Sequence, residues 1–216
     1  MCYDFDMKTR DDIREFANTI PKGITLVAAT KYVDDQEIRK LVDAGINNIA
    51  ENRVDAFLDK YELLKDLPIH WHFIGHLQRN KAKEIINKIE YLHSLDSLKL
   101  AELISKERLT PLKVFVEVSI NLEENKNGVP YYEVKDFIRE LIKYPNIDLV
   151  GLMMMTVKVS DDKDNQFAKL RELRNKIEKE LNIKLPYLSM GMSDDYLLAI
   201  KEGATHIRLG RILFKE

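Results

Sequence analysis

The 216-residue sequence holds one cysteine, Cys2. A lone thiol excludes an internal disulfide framework and any Cys-rich metal site. Excess charge of one sign is equally scarce: 34 Lys+Arg stand against 36 Asp+Glu, a formal net of −2. A pI near 6.3 supplies no electrostatic ground for a nucleic-acid partner, which demands a clearly basic face. No apolar run approaches the roughly 20 residues that cross a bilayer, so no membrane partner is expected. The acidic, polar start MCYDFDMKTRDD is unlike a secretory signal. Linkers rich in Ser, Gly or Pro, low-complexity tracts and charge blocks are missing too, so one domain over residues 1–216 is the expectation. These absences leave a cytoplasmic enzyme or small-molecule binder, with an ordinary globular balance of 45% hydrophobic and 32% charged residues.

What is present is alternation. Strand-like runs fall at Ile24–Ala29, Ile46–Ala50, His70–Ile74, Ile89–Leu95, Leu112–Ile120, Ile147–Met154, Tyr187–Met190 and His206–Leu209. Most are near-continuously apolar, as strands covered on both faces should be. Helical stripes lie between them, such as Val134, Phe137, Ile138, Leu141 and Ile142, then Phe167, Leu170, Leu173, Ile177 and Leu181. Asp34 with Glu37 reads as a capping box and Gly45 as a stop. Ser193 reads as the cap of a helix over 194–202. Eight strands joined by helices point to an α/β fold, a (β/α)8 TIM barrel. The chain stops short of a final helix; a leading one carrying Ile13, Phe16, Ala17 and Ile20 would cover that gap. An open doubly wound sheet is the competing arrangement.

In a barrel, function sits on the rim formed by the C-terminal strand ends. Lys31 follows the first strand, Glu51 and Asn52 the second, Gly75 and His76 the third, Asp96 and Ser97 the fourth. Ser119 and Asn121 follow the fifth, Thr156 the sixth, Ser189 to Ser193 the seventh, Arg208 to Arg211 the eighth. Where barrel walls desolvate a lysine, its neutral amine can attack an aldehyde and form a Schiff base. Lys31 is the candidate, against the reading of a solvated loop lysine. Ser193 and Gly210 suggest a phosphate cup, against plain capping and a turn. Arg208, inside an apolar strand, needs a partner: a structural carboxylate, or a ligand acceptor in the barrel mouth. His70, His72 and His76 invite a metal reading, but no carboxylate or cysteine at diagnostic spacing accompanies them. Met153, Met154 and Met155 read as core filler.

The blocks Val27-Ala-Ala-Thr-Lys31-Tyr-Val33, Ala50-Glu-Asn52, Trp71-His-Phe-Ile-Gly-His-Leu-Gln-Arg-Asn-Lys81, His93-Ser-Leu-Asp-Ser-Leu-Lys-Leu-Ala101, Gly151-Leu-Met153, Leu188-Ser-Met-Gly-Met-Ser193 and Ile207-Arg-Leu-Gly210 resemble the pyridoxal phosphate homeostasis proteins. These are single-domain relatives of the alanine racemase barrel. The resemblance implies that Lys31 holds pyridoxal 5′-phosphate as a Schiff base. It implies that Ser193, Gly210 and the backbone of Arg211, with Ser189 close by, take the phosphate. Arg208 would face the pyridine nitrogen, with Asn52 and His72 near the ring, while Lys81 matches a family lysine without an assigned role. The chain departs from the family pattern at Ala50, His76, Arg79 and Arg211 and in its Leu-Phe-Lys-Glu tail. A cationic arginine cannot accept the pyridinium proton, so the ring would be a weak electron sink. The racemases also serve the second substrate face from a separate β domain, for which one barrel leaves no room. The expected role is therefore a non-catalytic monomeric carrier in vitamin B6 homeostasis, passing cofactor to apoenzymes. A racemase or other fold-type III enzyme is the alternative, and a Schiff-base aldolase a third.

Overall fold

A computed structural model describes residues 8–120, 127–156 and 163–214; Cys2 and Asn121 lie outside the described residues. Elements follow in the order α1 (Arg10–Thr19), β1 (Thr25–Ala29), α2 (Asp35–Asp43), β2 (Asn48–Glu51), α3 (Val54–Leu63), β3 (His70–Phe73), α4 (Arg79–Ile85), β4 (Tyr91–Leu95), α5 (Leu98–Glu107), β5 (Leu112–Ser119), β6 (Val129–Pro130), α6 (Val134–Leu141), β7 (Ile147–Met153), α7 (Lys163–Leu181), β8 (Tyr187–Ser189), α8 (Tyr196–Lys201), β9 (His206–Leu209) and α9 (Arg211–Phe214). The order β4-β3-β2-β1-β9-β8-β7-β5 closes through pairing of β4 with β5. Every ladder is parallel. This is the closed barrel expected from the alternation, and it excludes the open sheet. The two-residue β6 adds to β5 outside the ring, with Val118 opposite Val129, and it was not among the expected strands.

Local chemistry sets the helix ends. Thr9 and Asp12 form a reciprocal capping box on α1, which packs against α2 and against α9, a four-residue final helix where none was expected. Asp34 accepts from the Glu37 N–H at 3.0 Å, but the Glu37 carboxylate pairs with Lys40. That leaves half of the expected box. Gly45 ends the next turn at φ +94°, a conformation glycine adopts without steric cost. Ser193 does not cap α8. Asp195 stands at the N-cap position, and its carboxylate instead binds the Met192 N–H at 2.7 Å and the Thr156 hydroxyl at 2.7 Å.

Two apolar layers result. The larger lies between strands and helices, where Ile38, Leu41, Phe57, Phe73, Ile104, Ile138 and Leu170 are fully buried. The smaller lies inside the barrel, where Phe115, Val150 and Met153 are joined by Tyr91 and Tyr187. Met153 and Met154 are buried, as filler residues should be, but Met155 is 51% exposed because it lies past the end of β7. Closure brings β7 and β8 into tight contact at Gly151. A Cβ there would meet the Tyr187 carbonyl oxygen at 1.9 Å and the Phe115 ring at 3.2 Å. The register shift between Val114 and Phe115 lies opposite the same point. Gly151→Ala is expected to lower stability by about 3 kcal/mol, seen as a lower urea midpoint with an unchanged m-value.

Candidate active site at the barrel mouth

Parallel strands bring all their C-terminal ends to one rim. From this rim Arg208 reaches inward on β9. Its side chain is 5% exposed. Neither a carboxylate nor a free rim position holds it: Nη1 donates to Ser189 Oγ at 2.6 Å and Nη2 to the Met154 carbonyl at 2.8 Å. Burial draws its pKa down to about 10, with Glu117 and Asp195 opposing the shift, so it stays cationic at neutral pH.

Behind Arg208 runs a chain of buried polar groups. Ser189 Oγ lies 2.8 Å from His93 Nδ1, His93 Nε2 lies 2.9 Å from His72 Nδ1, and His72 Nε2 lies 3.1 Å from Asn48 Oδ1. Burial holds both imidazoles well below the usual histidine range, so both are neutral. Asn48 Oδ1 can only accept, so His72 Nε2 carries its hydrogen and His72 Nδ1 accepts from His93 Nε2. His93 Nδ1 then accepts from the Ser189 hydroxyl, and Ser189 accepts from Arg208. Donation therefore runs one way, from Arg208 to Asn48. His72 also stacks on Tyr91 at 4.4 Å and His93 on Phe115 at 4.4 Å. Two expected site residues thus take different places. Ser189 is committed to Arg208 and His93, and His72 is sealed in the interior.

At the end of β1, Lys31 stands on the rim as expected, but exposed, with Nζ 4.9 Å from the Tyr32 ring centre. Barrel walls do not desolvate it in this arrangement. Beneath it lies a buried pair missed in the sequence: Glu51 accepts from Lys60 and from the Thr30 hydroxyl, while Lys60 Nζ also donates to the Thr30 carbonyl at 2.7 Å. This clamp ties the residue before Lys31 to β2 and α3. Asn52 follows on β2, and its Oδ1 is buried with no hydrogen-bond partner among the described residues. Gly75 allows the approach of the next loop, since a Cβ would meet the Asn52 carbonyl at 2.0 Å.

Across the mouth, Ser193 Oγ accepts from the Gly210 N–H at 3.4 Å. The N–H groups of Arg211 and Ile212 open α9 and precede any intrahelical acceptor. Gly191 threads this loop at φ +93°, where a Cβ would strike Ala199 Cβ at 2.6 Å. The Arg211 guanidinium turns outward to Asp194 at 2.6 Å, so its backbone alone faces the loop.

The remaining histidines and Lys81 separate from this group. His70 pairs with Glu90 at the opposite end of the barrel, His76 sits 3.6 Å from Asp96 on the rim, and Lys81 pairs with Asp55 across α3 and α4. Arg79 is exposed at the start of α4. Among the described residues no group of three His, Cys, Asp or Glu could hold a metal ion.

Glu117 was also missed. It lies on the inward face of β5, two residues beyond Phe115, and is 5% exposed. Burial, then repulsion from Asp96, pushes its carboxyl up to about 7, with Arg208 pulling the other way. The sequence signal was faint: one carboxylate among Val116 and Val118 reads equally well as a solvated strand position.

Residues 8–216 match the family model described as alanine racemase, N-terminal domain. The chain belongs to that family and, within it, to the pyridoxal phosphate homeostasis proteins. It is 42% identical over 196 residues to the pyridoxal phosphate homeostasis protein of Aquifex aeolicus, covering 88% of this chain and 86% of that one. The protein of the same name from Schizosaccharomyces pombe is 35% identical over 95% of this chain and 88% of its own. Among solved structures, PipY of Synechococcus elongatus PCC7942 with PLP bound superposes at a TM-score of 0.88 with 29% identity, over 96% of this chain and 100% of that one. Alanine racemase from Corynebacterium glutamicum, at a TM-score of 0.74 and 14% identity, shares the fold over 94% of this chain and 59% of its own.

The interior histidines set a pH limit on stability. Burial, then the charge of Arg208, draws His206 from 6.5 to about 4. A depressed histidine stabilises the fold above its unfolded pKa, and that stability is lost as pH falls from 6.5 toward 4. Wild type should lose on the order of 3 kcal/mol through this group over the window, and His206→Gln should flatten that part of a denaturation-versus-pH profile.

Proposed function

We propose that the barrel mouth binds pyridoxal 5′-phosphate and that the chain acts in intracellular, cytoplasmic vitamin B6 homeostasis without strong catalysis of its own. The observation that carries this reading is a buried, hydrogen-bonded cation, Arg208, in one mouth with an accessible lysine and a hydroxyl–amide loop. The fit can be judged on the mouth itself. Asn52 Oδ1 is a buried acceptor without a partner among the described residues, and Gly210 brings its backbone N–H to Ser193 Oγ. Both suit a ring with polar substituents and a phosphate. PipY with PLP bound and the relatives named for pyridoxal phosphate homeostasis support the same ligand.

In this reading Lys31 would hold the cofactor through Nζ, an amine that can condense with an aldehyde. Ser193, Gly210 and the backbone of Arg211 take the phosphate, using a hydroxyl and amides at the start of α9. Arg208 would meet the ring nitrogen, and Asn52 would lie beside the ring. Ser189 and His72 serve at one remove: Ser189 holds the guanidinium and His72 supports His93. When bound, the cofactor supplies an electron sink, and a cationic Arg208 leaves its ring nitrogen unprotonated and that sink weak. Weak electron withdrawal fits a monomeric carrier that yields cofactor to apoenzymes better than an enzyme that removes an α-proton.

Protein mixed with pyridoxal 5′-phosphate is expected to turn yellow, and borohydride reduction with peptide mapping should place the adduct on Lys31. Lys31→Ala should lose the adduct entirely. A panel of amino acids at saturating cofactor should show no robust turnover. Colourless protein would defeat the ligand, an adduct on another lysine would defeat the site, and fast racemisation would defeat the carrier role.

A further inference from the structure

Glu117 is a carboxyl that the fold buries without giving it a direct partner. It makes no hydrogen bond to a described residue, and no ion pair joins it to Arg208, whose donors go to Ser189 and Met154. A carboxylate with so little exposure and no hydrogen-bonded counter-charge is costly to ionise, though it keeps a narrow edge to solvent through which a proton can pass. Its setting is the barrel interior, on the strand end that faces the mouth. By strand alternation it shares the inward face of β5 with Phe115, and it stands opposite Met153 of β7. The charged and titratable groups around that interior are His72 on β3, Tyr91 and His93 on β4 and Asp96 after it, Tyr187 on β8, and His206 and Arg208 on β9. His76 sits beside Asp96, and Asp195 acts on Arg208. Asp96 itself accepts from the Gly128 N–H at 3.4 Å. Arg208 therefore acts on two carboxyls, Glu117 and Asp195, while Asp96 acts on Glu117.

Resting on the function proposed above, we propose that Glu117 is a residue of the cofactor pocket that bears a proton when the anionic cofactor is bound and gives it up when the cofactor leaves. The physical reason is competition for Arg208. Without cofactor, an ionised Glu117 gains from the guanidinium. With a phosphorylated, anionic ring in the mouth, a second negative charge beside it is disfavoured, and the carboxyl takes up a proton from solvent. Its position near neutrality, pushed up by burial and Asp96, makes this exchange accessible in cells. The sign follows: binding is linked to proton uptake, so affinity falls as pH rises through the titration of Glu117.

The test uses the whole chain. In ligand-free protein carrying ¹³C-carboxyl glutamate, the resonance that Glu117→Gln removes should titrate near 7 and move down in Asp96→Asn. Adding pyridoxal 5′-phosphate should move it up by at least about one pH unit, and wild-type affinity should fall up to about tenfold more per pH unit than that of Glu117→Gln. A Glu117 resonance in the ordinary carboxylate range, unmoved by Asp96→Asn, would overturn the proposal whatever the protein binds. Equal pH dependence of affinity in the two proteins would overturn the coupling alone. Wild-type protein that binds no pyridoxal 5′-phosphate would overturn the function above and the coupling with it, while the ligand-free titration still decides whether Glu117 holds a proton near neutrality.

Discussion

A guanidinium buried at the mouth of a closed parallel barrel organises the other interior groups of this molecule. Removing Arg208 from water is costly unless its donors are met, and they are met by the Ser189 hydroxyl and the Met154 carbonyl. Ser189 can accept because His93 takes its hydrogen, His93 because His72 does, and His72 because Asn48 terminates the chain. Burial, with the same positive charge adding to it, keeps His206 neutral, and that charge draws Glu117 back toward ionisation. Ring stacking on Tyr91 and Phe115 holds the two relay histidines in place, so the orientation of one cation is built into the packing of the barrel interior.

A second constraint is close backbone approach. Gly75 and Gly151 sit where a single Cβ would collide with a neighbouring carbonyl, at Asn52 and Tyr187. Gly75 lies on the loop after β3 and Gly151 within β7, and neither needs an unusual φ; what they supply is space. The loop between β8 and α8 needs the other property of glycine, a left-handed turn at Gly191, and is then locked by Asp195 binding Met192 and Thr156. Ser193 is left free of helix capping and faces Gly210, which is what a ligand-facing hydroxyl requires.

Much of this was legible along the chain. Lys31, Asn52, Ser193 and Arg208 stand out because a polar residue at the end of an apolar run, or inside one, asks for a reason. Other features were not legible. Lys60 lies within α3 and resembles any helical lysine until β1 and β2 bring Thr30 and Glu51 beneath it. Glu117 alternates with valines as a solvated strand residue would, and becomes buried because β4 and β7 close on both sides of β5. Ser189 looked like part of a phosphate cup because it is near Ser193 in sequence. Strand alternation turns it instead to the interior, toward His93.

The sequence by itself determined the alternation of strands and helices, the barrel class, the family and the rim on which the unusual residues gather. Those depend on local periodicity and on the order of elements, which the chain carries directly. Tertiary structure alone decided which polar groups share a proton or a charge: that Arg208 is held by a hydroxyl and a carbonyl, that Lys31 is exposed, and that Glu117 is buried beside Asp96. Desolvation and charge coupling depend on distances between residues far apart in sequence, and those distances exist only once the ring of strands is closed.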